Sequence, residues 1–252
     1  MRRTAFLLLS TLLPRLLAAQ VVLVDEGTFT LLLKGTRVGR EDFSIRRSPA
    51  SAQAAYVAQA NVLIGESRVS VATSTDSLGL PLRFQHETLA AGQSAATVTG
   101  EWRGGLWSGR AVNPLGESAR EFRLAPGTIA VEPGVMHHLW FVLRFAPVGR
   151  RTTLLLPRTL QSRTVRVEAA GTEAFAIGLA EIQARRFTVR LDADNTVLYE
   201  AWIDPAGRLL RVRAPGESME AIRDEAPPPS GGPETLSGDR TYAEQSLAPF
   251  TA

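Results

Sequence analysis

The three histidines of this chain are its side chains best suited to acid–base or metal chemistry near neutral pH. His137 and His138 are adjacent, and His86 is the only other histidine. Neighbouring residues on a helix point about 100° apart, so the pair cannot readily bind one ion, for which helices place ligands at i and i+3 or i+4. We interpret the pair as hydrogen-bonding histidines at the start of a helix, and the sequence predicts no metal site.

The residues that would complete a hydrolytic site form no recognisable motif. A Gly-x-Ser-x-Gly sequence is absent, and the lack of cysteine excludes both a thiol nucleophile and disulfides. A hydrolase-type site assembled around His137 and His138 from distant residues remains an alternative, and no cofactor is indicated. We expect the paired carboxyl groups of the chain to be solvated charges. These pairs are Glu41 with Asp42, Asp192 with Asp194, and Asp224 with Glu225.

The histidine pair lies in the one segment that departs from a strand-like pattern. Pro133-Gly134 precedes the run VMHHLWFVLRFAP, which stops at Pro147 and carries Arg144 as its single charge. Proline near both ends predicts a helix of about three turns. Because this helix is apolar nearly all round, we expect it to be buried on two sides, inside the concavity of a curved sheet. A short apolar run of this kind is also compatible with a strand.

The rest of the chain alternates between polar and apolar residues with period two. Glu41, Phe43 and Ile45 share one face, for example, and Leu82, Phe84 and His86 share another. This pattern is typical of half-buried antiparallel strands, and counting such segments predicts roughly ten to twelve of them. The predicted fold is therefore mainly β: a curved antiparallel sheet, or half-barrel, wrapping one buried helix.

Turn motifs separate these segments. Residues 113–116 (Asn-Pro-Leu-Gly) and 204–207 (Asp-Pro-Ala-Gly) have the residue preferences of type I turns. Gly104-Gly105 predicts a two-residue hairpin that places Trp102 opposite Trp107. Residues 217–225 are predicted to add a short helix at the end of the domain.

The first residues predict export. Arg2 and Arg3 precede an apolar run that ends at Ala18-Ala19, so residues 1–19 read as a signal peptide, with a retained membrane anchor as the alternative. Residues 20–225 are predicted to form a single β-rich half-barrel domain, followed by a Pro/Gly-rich disordered tail over 226–252. No transmembrane helix is expected after cleavage, and the expected location is the periplasm or another part of the cell envelope.

The charge balance argues against a nucleic-acid partner. Arg2, Arg3 and Arg15 account for three of the 28 basic residues, and the remaining 25 balance 25 acidic residues. Acids and bases are interspersed, whereas a nucleic-acid-binding protein shows a basic face or stripe.

Three stretches combine a turn motif with an apolar strand. They are GTRVGREDFSIRR with Gly39, Glu41 and Phe43; SLGLPLRFQHE with Gly79, Pro81 and Leu82; and residues 185–215 with Trp202, Asp204, Gly207, Arg208, Leu209 and Val212. Together they resemble a family of uncharacterised exported bacterial proteins over much of residues 27–225. The resemblance implies a half-barrel wrapping a helix, similar to the periplasmic lipoprotein carriers, which bind acyl chains in the concave face.

These features favour non-catalytic binding of a lipid or other hydrophobic ligand, or of an envelope protein. A hydrolase-type enzyme and a purely structural envelope scaffold are the alternatives. Methionine and aromatic side chains suit adaptable apolar binding, although plain core packing is the more common explanation for them. The candidate ligand-binding residues are Met136, His137, His138, Trp140, Phe141, Phe145 and Trp202.

The signal-peptide prediction has a direct test. We expect the exported protein to begin at Gln20, because the apolar run ends at the small residues Ala18 and Ala19. Intact-mass measurement of the protein recovered from the cell envelope checks this. A mass that retains residues 1–19 would instead support an uncleaved anchor.

Overall fold

The alternating pattern folds into one large curved sheet of fifteen strands, counted over the residues that the structure describes. The computed structural model describes residues 21–48 and 54–228. The predicted signal peptide (1–19) and residues 229–252 of the predicted tail lie outside the described residues. The mainly β fold class is confirmed, but the predicted number of strands is too low.

The strands mostly follow one another along the chain with short connections. They are β1 (Val22–Leu33), β2 (Thr36–Arg47), β3 (Tyr56–Ile64), β4 (Ser67–Thr75), β5 (Pro81–Ala90), β6 (Gln93–Arg103), β7 (Leu106–Asn113), β8 (Gly116–Arg123), β9 (Ile129–Ala130), β10 (Arg151–Leu156), β11 (Gln161–Ile177), β12 (Ala180–Leu191), β13 (Val197–Ile203), β14 (Leu209–Ala214) and β15 (Met219–Arg223). The helical elements are α1 (Leu139–Phe145) and the 3-10 turns Met136–His138, Pro157–Thr159 and Pro215–Glu217. The first of these turns and α1 lie between β9 and β10.

The sheet consists of two meanders joined at its centre. Strands β1 to β8 run outward on one side and β15 back to β9 on the other, so that β1 pairs with β15 in the middle. All pairs are antiparallel except β9 with β10, which is parallel. The strands that begin and end the described domain therefore meet at the centre of the sheet, and β8 and β9 are its edges.

A buried ion pair reinforces this central seam. Arg223 Nη1 lies 2.9 Å from Asp25 Oδ1, and the side chains of the two residues are 4% and 0% exposed. Arg223 also donates to the carbonyl of Leu209 at 2.9 Å, while Asp25 accepts the Leu209 N–H at 3.3 Å. Gly27 makes room for the guanidinium, because a Cβ at this position would lie 2.8 Å from Nη2. A glycine in a strand is typical of such close approaches.

The two edges of the sheet approach each other across the interior. Leu160, which follows the 3-10 turn after β10, packs over Gly109 of β7, where a Cβ would lie 2.6 Å from its Cδ2. Arg120 of β8 donates to the Leu160 carbonyl at 3.1 Å. The sheet thus curls into a barrel-like form, and its two sides contact each other through the Leu160 segment.

The segment Met136–Phe145 (the helical segment) is buried inside this curl. The 3-10 turn and α1 run on from each other, which confirms the predicted helix and rules out the strand alternative. Leu139, Phe141 and Val142 are at most 1% exposed and belong to one cluster with core residues of both meanders. The predicted helix position, within the concavity of a curved sheet, is confirmed.

A second, smaller cluster lies on the opposite face of the sheet. Beyond the bulge between Ala169 and Thr172, the end of β11 pairs with the start of β12, which has no pairing to β13 before Arg185, and the two form an arm. The arm contributes Ile177 and Ala184 to a cluster with Trp202 and Leu210. Trp202 follows Ala201, a member of the main cluster, and successive strand residues face opposite sides.

The predicted turns are confirmed. Gly104-Gly105 connects β6 to β7, and Trp102 pairs with Trp107 in register. The Asp204 carbonyl accepts the Gly207 N–H at 3.0 Å, the hydrogen bond that closes a β-turn.

The predicted helix over 217–225 is wrong. This segment contains strand β15, in which Met219, Ala221 and Arg223 alternate with period two. Arg223 concealed the pattern, because a charged residue is expected to face solvent. Its inward orientation becomes clear only when its partner on β1, Asp25, is known. Within the described residues, no helix combines the length and apolar character needed to cross a membrane.

Replacing Arg223 should reveal how much the pairing of β1 with β15 depends on the Asp25–Arg223 ion pair. Arg223→Met leaves Asp25 buried without its partner, so we expect the free energy of unfolding to fall by about 3–5 kcal/mol. Arg213→Met is the matched control, because Arg213 lies on β14, is 46% exposed and pairs with Glu200 at 3.2 Å. The control should lose less than about 1 kcal/mol. Urea denaturation measures both.

The effect should depend on pH. Burial raises the pKa of Asp25 from 3.8 to about 6, although Arg223 opposes the shift. Between these values the folded protein binds more protons than the unfolded chain, so the free energy of unfolding falls as pH rises. Without Arg223 the pKa of Asp25 rises further. The loss in the free energy of unfolding caused by Arg223→Met should therefore be smaller at about pH 5 than at about pH 8. An equal loss at both pH values would contradict this account.

Candidate functional site

The buried carboxyl group of Glu41 holds the start of the helical segment. Glu41 lies on β2, in phase with Phe43 and Ile45, and is 0% exposed. Its Oε2 accepts the Met136 N–H at 2.8 Å and its Oε1 accepts the His137 N–H at 2.9 Å. The local N-cap residue, Val135, offers no side-chain hydrogen bond. Glu41 therefore caps the segment from the sheet.

The same carboxyl group orients His137. Nδ1 of His137 lies 2.7 Å from Glu41 Oε1. Because both oxygens of Glu41 already accept backbone N–H groups, we assign Nδ1 as the donor. In the neutral ring Nε2 then carries a lone pair, and this atom is buried without a hydrogen-bond partner among the described residues.

His138 has the opposite tautomer. Its Nδ1 accepts the Glu132 N–H at 3.0 Å, so the proton of the neutral ring is on Nε2, which lies 3.3 Å from Thr73 Oγ1. Burial, together with the neighbouring His137 and His86, lowers the pKa of His138 well below its usual value. His138 is therefore a neutral bridge between the helical segment and β4.

A second buried carboxyl group belongs to Glu132, whose backbone N–H is donated to His138. Glu132 is 1% exposed, and burial raises its pKa to about 7 although Arg158 lies 2.9 Å away. Burial and the charge of Arg158 lower the pKa of His86 to about 4. Glu41, His137, His138 and Thr73 thus form a buried polar network between the helical segment and the sheet, which Glu132 joins through its backbone N–H. His86 lies outside this network, since its Nδ1 has no hydrogen-bond partner among the described residues.

The predicted apolar site residues pack against one another. Trp140 contacts Phe141 and Phe145 at ring-centroid distances of 5.1 and 6.1 Å, and both Trp140 and Phe145 contact Tyr56 of β3. Met136 is 1% exposed within the same core. Six of the seven predicted ligand residues are thus brought together on the helical segment.

Trp202 is not part of this group. It lies in the second cluster on the opposite face of the sheet, where Arg186 and Arg211 stack over its ring at 5.3 and 4.9 Å. Its indole N–H donates to Glu173 of the arm. The indole therefore serves to hold the arm against β13 and β14.

Open space lies on the face of the sheet that points away from the core. A cavity of about 450 Å³ crosses β3 to β6, between two rows of outward-facing residues. One row runs through Gln59, Ala72, Gln85 and Thr99, and the other through Asn61, Ser70, Glu87 and Thr97. The backbone of the inward-facing row that includes His86 forms its floor.

A second cavity continues this space toward β8. It has a volume of about 650 Å³ and shares Gln85 and Thr99 with the first. Its other outward-facing residues are Arg83, Glu101, Arg103, Leu106, Ser108, Arg110 and Glu121. The two cavities together are named the outer trough. None of the seven predicted ligand residues lines it.

The interior network is arranged for structure rather than for access to a substrate. Glu41 and His137 form the carboxyl–histidine pair that a hydrolase would use, but both side chains are 0% exposed. Among the described residues, no group of three or more His, Asp or Glu side chains is placed to hold a metal ion.

Sequence reasoning missed Glu41, which was expected to be a solvated charge beside Asp42. The expectation is wrong for Glu41 and right for Asp42, which faces the opposite side of β2 with its side chain 40% exposed. The available signal was the phase of Glu41 with Phe43 and Ile45. The outer trough has no comparable signal, because strand pairing alone brings its rows together.

Comparison with solved structures places this geometry among β-barrel-like proteins. A crystal structure of a β-barrel-like protein of the domain of unknown function DUF1849, from Brucella abortus, aligns with a TM-score of 0.51 and 13% identity. The alignment covers 82% of this chain and 97% of that protein. The similarity shows a common fold and confirms the expected resemblance to β-rich proteins of unknown function.

The other comparisons are less informative. A DUF1329 family protein from Desulfovibrio piger aligns over 82% of this chain and 84% of its own, at 11% identity and a TM-score of 0.20, too low to indicate a shared fold. Neither a protein-family model nor a curated protein matches the sequence.

The capping role of Glu41 can be tested against its neighbour. Glu41→Gln retains one acceptor oxygen but turns an amide toward buried N–H groups, so we expect a loss of about 2–4 kcal/mol in the free energy of unfolding. Asp42→Asn, one residue away on the exposed face, should cost less than about 1 kcal/mol. Chemical denaturation followed by tryptophan fluorescence measures both. Equal costs for the two variants would contradict the capping role of Glu41.

Proposed function

We propose that this chain is an exported, non-catalytic protein of the cell envelope that binds its ligand or partner in the outer trough. One observation carries the proposal: the interior of the sheet is occupied by the protein's own helical segment, whereas open space lies on the outer face. Export rests on the signal-peptide features of residues 1–19.

The absence of catalysis is supported by the burial of the reactive groups. A general base must come within hydrogen-bond reach of the proton that it removes. Nδ1 of His137 is engaged by Glu41, and Nε2 is buried. Burial keeps His138 neutral, and both of its ring nitrogens are within hydrogen-bond distance of protein groups. A hydrolase built on this pair would have to open its own core.

The packing of the interior also favours the outer trough over the interior as the ligand site. A hydrophobic ligand beside Trp140 would have to separate rings that already contact one another and Tyr56. Displacing them would cost the packing energy of large aromatic side chains, about 3–5 kcal/mol for one such residue. The outer trough is open without any rearrangement.

Site-directed photocrosslinking in the full-length protein tests this proposal. We place p-benzoylphenylalanine at Thr99, which lines both cavities, and at Thr164 of β11, which lines neither. Both threonines are exposed, which makes them a matched pair. In cells that export the protein, we expect an adduct from position 99 and none from position 164.

Two outcomes would contradict the proposal. Adducts of equal yield at both positions would show non-specific collision, and no adduct at position 99 would show that the outer trough is vacant. A lipid recovered with the unmodified protein, with no adduct at position 99, would instead favour the interior as the ligand site.

A further inference from the structure

We infer that the outer trough binds a neutral, extended glycan chain that lies across strands β3 to β6. The inference rests on the proposed function and names the ligand class for the same site. Three properties of the trough support it: the chemistry of its lining, the spacing of its rows and the pairing of its charges.

Six of the eight outward-facing residues that line the cavity across β3 to β6 have amide or hydroxyl side chains. Both types donate and accept hydrogen bonds, as sugar hydroxyl groups do. Ser70 Oγ donates to Asn61 Oδ1 at 3.0 Å, so this pair is already oriented. Glu87 is the one acidic residue among those lining this cavity. The amide and hydroxyl residues are Gln59, Asn61, Ser70, Gln85, Thr97 and Thr99.

The rows repeat at a distance that suits a sugar polymer. Gln59, Ala72, Gln85 and Thr99 are register partners on four adjacent strands, so they form a line perpendicular to the strands. Neighbouring strands lie about 4.8 Å apart. This is close to the length of one pyranose ring along an extended β-1,4-linked chain. One sugar unit can therefore contact each strand in turn.

The charged part of the trough contains no unpaired arginine. Arg103 lies 2.7 Å from Glu101 and Arg83 lies 3.5 Å from it, while Arg110 forms two 2.7 Å hydrogen bonds with Glu117. A polyanion would require cations free to neutralise it. Paired charges still offer hydrogen-bonding atoms to hydroxyl groups, so the lining favours a ligand without net charge.

Other occupants fit less well. An extended peptide binds a sheet through an unpaired edge, whereas strands β3 to β6, across which the proposed ligand lies, are interior strands of the sheet. An acyl chain would meet few apolar side chains, since Ala72 and Leu106 are the outward-facing ones in the trough.

Isothermal titration calorimetry of the mature protein with defined oligosaccharides tests the inference. The probes are cellohexaose and chitohexaose, both neutral and β-1,4-linked, with cellobiose and an anionic hexagalacturonate for comparison. We expect at least one neutral hexamer to bind, and cellobiose to bind about tenfold or more weakly because it spans fewer strands. Failure of both neutral hexamers to bind, or stronger binding of the hexagalacturonate, would overturn the inference.

A double variant links binding to the trough. Gln85→Ala with Thr99→Val removes the polar groups shared by the two cavities and should weaken hexamer binding about tenfold or more. Gln183→Ala with Thr164→Val makes the same changes at exposed positions outside the trough and should leave affinity within about twofold. Thermal unfolding confirms that both variants fold. Equal binding by the two variants would contradict the proposed site.

The crosslinking and calorimetry results separate the two proposals. An adduct at position 99 that proves to be protein or lipid, together with no oligosaccharide binding, retains the proposed function and rejects the glycan. Absence of any adduct at position 99 rejects the proposed function. A carbohydrate adduct together with hexamer binding supports both.

Discussion

The structure depends on one hydrogen-bonding constraint: an apolar helical segment inside a curled sheet must satisfy its first N–H groups without water. Val135 cannot do so, and Glu41 of β2 accepts the N–H groups of Met136 and His137 from across the core. The same carboxyl group orients His137, and His138 joins the segment to β4 through Thr73. The position of the helical segment is therefore set by polar contacts to the first meander.

This arrangement explains why the interior is a core and not a ligand site. The aromatic face of the helical segment packs on Tyr56, and its histidines belong to the buried network. The second meander is held to the first by the Asp25–Arg223 pair and by Leu160 over Gly109. Because the inner face is occupied in this way, the proposed function and its ligand class both fall on the outer face.

Much of the fold could be predicted from local pattern. The period-two segments, the Gly104-Gly105 hairpin and the proline-bounded helix are properties of a few neighbouring residues, and all three are confirmed. Prediction failed where a charge faces inward. Arg223 made β15 resemble the end of a helix, and Glu41 was taken for a solvated charge because its partners lie 95 and 96 residues away.

The sequence by itself determined the fold class and the helix, because these depend on periodicity and turn chemistry. Export stays a prediction from the N-terminal apolar run. Only the tertiary structure decided which face of the sheet is open, which carboxyl groups are buried and where Trp202 lies. A strand pattern shows that two faces exist, but the curvature of the sheet and the register of its pairs decide which face is filled. Those properties depend on contacts between residues far apart in the chain.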